Sequence, residues 1–238
     1  MPVEIAIIAA MEREVRPLVR RWRRRQLVSG EKTFSAFGND KALVVCSGIG
    51  GGLARQAAVA VFASERPRIM ISAGLAGALS SQWKVAQIFK AATVVDLGTG
   101  ARYEGGGSDG VLVSASSVLD RDAKRRMAGA FGADAVDMEA AAIALVAEQH
   151  NCPFIAVKAI SDQAEFAMPS FEGFIDSRGC IRTASFAASC ALRPSTWPPL
   201  ARLARNTARA SQELCRALSH LIEQQQTASL PSLSEKMS

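Results

Sequence analysis

The chain has 238 residues, 49% of them apolar and 21% charged, a balance that supports one sizeable core and excludes a disordered chain. No run approaches the ~18 apolar residues of a membrane span, and the first apolar run, 5–10, leads into charged "MEREV" rather than a signal-peptide cleavage site, so a cytoplasmic protein is expected. Lys and Arg number 28 against 22 Asp and Glu, yet with one Tyr, three Trp and no nucleic-acid motif the positive balance does not point to a nucleic-acid partner.

Taken in chain order, the short apolar runs 5–10, 43–46, 69–72, 93–95, 111–115 and 154–160 are unbroken rather than alternating, as strands are when both faces of a sheet are covered. Helix-like segments lie between them at 12–26, 53–64, 120–130 and 137–149. The alternation predicts an α/β fold with a largely parallel central sheet. Seven arginines fall in the first helical segment, at 13, 16, 20, 21, 23, 24 and 25. A solvated helix face accounts for them most simply; attraction to an anionic membrane surface or a phosphate-bearing ligand is the sharper reading. "SGIGGGLA" (47–54) has two glycines of a dinucleotide fingerprint, but Leu53 replaces the third and no ribose-binding acid follows. A tight strand-to-helix turn with amides facing a polar ligand fits better. "YEGGGSDG" (103–110) predicts a hairpin turn or mobile loop. The cysteines (46, 152, 180, 190, 215) are scattered without metal-ligand spacing, which predicts free thiols and no metal. Leu200, Leu203, Thr207, Ala210, Leu214, Ala217 and Leu221, widened by Leu218, form one stripe of a long C-terminal helix. Its default partner is the chain's own sheet, with a second subunit as the alternative. A polar tail is expected at 227–238, after a domain of residues 1–226.

Three carboxylates stand at strand ends or helix starts, the ligand-binding edge of open α/β sheets. Glu14 follows the first strand, Asp162 the last, and Glu139 opens the helix that feeds the last. Each has an ordinary explanation. Asp162 and Glu165 match capping-box spacing, Glu139 could complement a helix dipole, and Glu14 lies in a charged segment. With two histidines and no nucleophile elbow, a Ser-His-Asp triad does not fit, so acid–base chemistry would rest on these carboxylates.

"AIIAAMEREV" (6–15), "SGIGGGLA" (47–54), "SAGLAGAL" (72–79), "AVDMEAAAIA" (135–144) and "FIAVKAISD" (154–162) occur in the order seen in the nucleoside phosphorylase and nucleosidase superfamily. The chain most resembles methylthioadenosine/S-adenosylhomocysteine nucleosidases over residues 5–165. Beyond them, "FAMPSFEGFIDSRG" and "ALRPSTWPPLARLARNTARAS" resemble the hopanoid-associated phosphorylase branch, which acts on adenosylhopane. The resemblance implies a single-domain three-layer fold and a cofactor-free, homodimeric enzyme that cleaves the N-glycosidic bond of an adenine nucleoside, one that could be lipid-linked and bring the enzyme to a membrane surface. Asp162 would protonate the purine, steadied by Ser161. Glu139 would hold the ribose hydroxyls over Met138, and Glu14 would activate water. The helix start after Met11 would offer amides, with Arg13 or Arg16 available for phosphate. Three features depart from the family pattern: Leu75 stands where relatives have Ser or Thr, Ser117 and Val118 where an aromatic residue stacks on the base, and the 103–111 segment is short. These departures would suit a bulky lipid-linked nucleoside, or a catalytically silent adenosyl-ligand binder.

Overall fold

The computed structural model describes residues 3–166 and 197–228; the stretch 167–196, with Cys180, Cys190 and most of "FAMPSFEGFIDSRG", and the tail beyond 228 lie outside them. Strand β1 (Ile5–Ala9) is buried along its whole length, and its side chains divide between two helical layers. Ala6 and Ile8 pack with helices α2 (Gly51–Ser64) and α4 (Ala140–Gln149). Ile5, Ile7 and Ala9 pack with α1 (Glu12–Val19) and the C-terminal α5 (Trp197–Ala228). Strand β4 (Ala42–Cys46) repeats the division, with Leu43 and Val45 on one face and Ala42 and Val44 on the other. Unbroken apolar runs thus mark strands sandwiched between helices in three layers. On α5, Ala210, Leu214 and Leu218 of the expected stripe are buried against the chain's own core, joined by Ile222, while Leu203, Thr207, Ala217 and Leu221 are half-buried.

Among the described residues an 11-stranded sheet runs in the order β2 (Arg23–Ser29), β3 (Lys32–Gly38), β4, β1, β5 (Ile69–Ala78), β10 (Ala133–Asp137), β9 (Val111–Ser114), β7 (Thr93–Asp96), β8 (Arg102–Glu104). Strand β11 (Phe154–Asp162) pairs with the other edge of β5, and β6 (Ile88–Lys90) pairs with β11. The centre is parallel: β4, β1, β5 and β11 share one direction, while β10, β9 and β7 run together against β5. Strand β5 positions the site. It pairs with β1 over residues 69–72 and with β10 only at Gly77 and Ala78. Along 73–76 the two neighbours diverge, and a cleft opens where β1, β10 and β11 end, as at the switch points of open α/β sheets.

Two expectations are corrected. The helix expected over 12–26 stops at Val19, and Arg23, Arg24 and Arg25 lie on β2, paired to β3 through a turn at Gly30, whose φ is +58°. "VSGEKTF" is a hairpin turn that the helix-favouring arginines obscure. Arg24 and Arg25 pair with Glu12 and Glu65, whereas Arg20, Arg21 and Arg23 are exposed, as a solvated face requires. The glycines of 103–110 do not close a hairpin, because β8 and β9 flank β7 on opposite sides. They let the backbone pass close over β6: a Cβ on Gly107 would meet the Lys90 carbonyl oxygen at 2.2 Å. Cys46, Cys152 and Cys215 are free thiols, and among the described residues no helix is long and apolar enough to cross a membrane.

Candidate active site

Glu14 is the third residue of α1, and its side chain folds back to the helix start, where Oε2 accepts from the Met11 N–H at 3.5 Å. It is 3% exposed, so the surface-residue explanation fails. Burial pushes its pKa up to about 7, against the opposing pull of Lys158, the Met11 and Ala10 amides and Arg13. Glu139 precedes α4 at its N-cap. The Gly50 N–H donates to its Oε1 at 2.7 Å and the Met138 N–H to its Oε2 at 3.3 Å. Gly50 has φ +102°, a conformation that suits glycine and turns its amide onto the carboxylate. That amide of the glycine turn is therefore committed to a protein acid. Burial first, and then the neighbouring Asp137 charge, push the Glu139 pKa upward.

Asp162 ends β11 and is 1% exposed. The Ser161 hydroxyl donates to its Oδ1 at 2.6 Å, and the Lys124 ammonium donates to its Oδ2 at 2.5 Å. The capping-box reading is replaced: Glu165 instead pairs with Arg125 at 3.0 Å and Arg121 at 3.8 Å. Gly77 lies beside this pair, where a Cβ would stand 3.1 Å from Asp162 Oδ2 and 3.4 Å from Lys124 Nζ.

Every catalytic and substrate-binding residue expected from sequence lines one cavity of about 200 Å³. Glu14, Glu139 and Asp162 contribute carboxylates; Met11, Met138 and Leu75 contribute apolar wall; Ser161, Ser117 and Val118 complete it. Val118 is 40% exposed, so its side chain stands at the mouth. The short 103–111 segment contributes nothing to the wall, whereas Leu203 and Thr207 of α5 do. Arg13 reaches the cavity; Arg16 does not line it.

Sequence reasoning missed the cations. Lys158, buried in the middle of β11, pairs with Asp137 at 2.8 Å and donates to Ser72 Oγ at 2.9 Å. Asp137 also accepts from the Ser114 hydroxyl at 2.6 Å and the Ala140 N–H at 2.9 Å. A lysine inside the apolar run "FIAVKAI" was the available signal, since a buried ammonium demands a partner. Lys124 gave none, being one of several cations in "RDAKRR" on α3 (Arg121–Phe131), a helix capped by Asp120, whose Oδ1 accepts from the Ala123 N–H at 2.7 Å.

A profile of the phosphorylase superfamily matches residues 4–116 and 107–189. Among solved structures, a Helicobacter pylori 5'-methylthioadenosine/S-adenosylhomocysteine nucleosidase variant with 5'-methylthioadenosine in its active site is 19% identical, with a TM-score of 0.66 over 92% of this chain and 100% of that one. A Streptococcus pneumoniae nucleosidase of the same name, in complex with 8-aminoadenine, is 26% identical, with a TM-score of 0.58 over 69% of this chain and 88% of that one. A Helicobacter pylori futalosine hydrolase is 19% identical, with a TM-score of 0.65 over 92% and 99%. The fold is common to all three, and with the family profile spanning most of its length the chain belongs to the phosphorylase superfamily.

Proposed function

We propose that the protein cleaves the N-glycosidic bond of an adenine nucleoside by hydrolysis and releases adenine. The observation that carries this reading is the separation of carboxylates along β5. Glu14 lies beside Gly74 and Asp162 beside Gly77, three residues or about 10 Å apart along the strand. A sugar can face Glu14 and Glu139 while its base faces Asp162. Breaking the bond builds positive charge on the sugar and negative charge on the base. Asp162 passes a proton to the base, Glu139 holds the ribose hydroxyls over Met138, and Glu14 takes the proton of the attacking water. A base whose pKa is about 7 is well matched to that task at neutral pH. An aspartate opposite the base also favours the amino group of adenine, and two of the similar structures hold adenine-type ligands.

Hydrolysis is favoured over phosphorolysis because Ser72, which phosphate would need, is buried and does not line the cavity. Two neighbouring glutamates also repel a phosphate. Arg13 in the cavity wall favours the second reading, phosphorolysis. Incubating the protein with adenosine, 5'-methylthioadenosine and an adenosyl lipid, with and without phosphate, separates the two. The expected result is adenine without phosphate, and ribose or a ribosyl product beside it. Strict dependence on phosphate with a ribose 1-phosphate product refutes the water-activating role of Glu14, and absence of adenine from all three substrates refutes the enzyme reading.

A further inference from the structure

Lys124 is the buried residue of α3, 3% exposed, in a helix whose other cations face solvent. Anchoring α3 to the segment after β11 does not require it. Arg121 and Arg125, one turn of the same face, already grip Glu165 from the surface. Burying an ammonium is costly even when paired, yet Lys124 and Asp162 both line the cavity, and Gly77 beside them carries no side chain to cover them. Both Asp162 oxygens already accept, Oδ1 from the Ser161 hydroxyl and Oδ2 from Lys124. A carboxylate engaged this way is an acceptor, so the proton available for transfer sits on the lysine.

We infer that Lys124 supplies the proton that Asp162 delivers to the leaving base, making it a positioning residue that acts through Asp162. The inference rests on the N-glycosidase reading. As the sugar–nitrogen bond breaks, its electron pair goes to the base. Lys124 passes its proton to the Asp162 carboxylate and Asp162 passes a proton on to a base nitrogen, which leaves a neutral amine and the carboxylate unchanged. Water adds to the sugar carbon and its proton goes to Glu14. Exchange with solvent then removes the proton from Glu14 and returns one to Lys124, so the cycle balances.

The test uses two substrates and two variants. Adenosine needs a protonated leaving group; the 4-nitrophenyl riboside does not, because nitrophenolate leaves unaided. Lys124→Arg keeps the cation and the ion pair but carries a guanidinium that does not give up its proton. It is expected to lower kcat for adenine release by about 100-fold or more, the usual scale for losing proton donation, while nitrophenol release stays within about 3-fold. Lys124→Met is expected to show the same split if it folds. Full adenine release by Lys124→Arg makes the lysine an anchoring cation and overturns the inference, as does an equal fall on both substrates. Wild-type protein that cleaves neither substrate fails at the earlier step and refutes the N-glycosidase reading itself.

Discussion

Replacing Glu14 with Gln should make the folded protein more stable above neutral pH while abolishing activity. The side chain is buried and its pKa is raised to about 7 from the ordinary 4.5, chiefly by desolvation. Between those values the folded protein holds a proton that the unfolded chain has released. Stability is therefore fully present below pH 4.5 and lost as pH rises through 7. The gap corresponds to about 3 kcal/mol, at ~1.4 kcal/mol per pH unit. Gln has nearly the same shape and no charge to desolvate. Urea unfolding followed by tryptophan fluorescence, from pH 4.5 to 8 at constant ionic strength, should find Glu14→Gln close to wild type at the acid end. At pH 8 the variant should be more stable by about 3 kcal/mol at most, with residual slope from Glu139, whose pKa is raised in the same direction. Adenine release by the variant should be severely reduced. Parallel stability curves for the two proteins would refute the reasoning, because a solvated or fully compensated Glu14 makes no pH-dependent contribution.

Asp162→Asn should keep the fold and lower turnover by about 100-fold or more; a variant that unfolds while its folded fraction keeps full activity contradicts the assignment. Gly77→Ala introduces a Cβ 3.1 Å from Asp162 Oδ2, so kcat should fall more than unfolding stability does, and an unchanged kcat shows that the pair is free to shift. Lys158→Met leaves Asp137 buried without its cation, a loss of about 3–5 kcal/mol measurable by urea unfolding. Adding Asp137→Asn should recover part of it, and no recovery means that the ion pair is not the source of the loss.

The alternation of apolar runs and helices made the three-layer fold readable because burial on both faces leaves a strand no polar position. The strand-end rule likewise made Glu14, Glu139 and Asp162 readable together. What escaped was either short or masked. Strands β6 and β8, with three residues each, carry too little pattern to register. Strand β2 reads as helix because its outward positions are arginines, and only Leu27 reports its buried side. Gly74 and Gly77 lie on β5 beyond the apolar run expected at 69–72, because glycines there make room for neighbouring carboxylates rather than filling a core. Lys124 escaped for a different reason: its importance lies in a contact 38 residues away, which no local spacing encodes.

The same contacts explain how one cavity can treat its acids differently. Four carboxylates line it, Glu14, Asp137, Glu139 and Asp162. Two are matched by buried ammonium groups, Asp137 by Lys158 and Asp162 by Lys124. Glu14 and Glu139 have no such dedicated partner; Lys158 opposes their upward pKa shifts without cancelling them. The acids without a dedicated cation are therefore concentrated at the end of the cleft assigned to the sugar, where each is an excess negative charge once ionised. A cation developing on a ribose would be stabilised there as it forms, and more strongly than the neutral nucleoside that precedes it, which is the condition for lowering a barrier rather than merely binding a substrate. At the other end the charge is balanced and a proton is at hand, which suits a base that leaves with a lone pair. The unequal pairing of four acids with two lysines divides the cleft into a cation-stabilising half and a proton-donating half. Neutralising Lys124 should therefore slow cleavage of an adenine nucleoside alone, whereas neutralising Glu139 should slow cleavage of the nitrophenyl riboside as well.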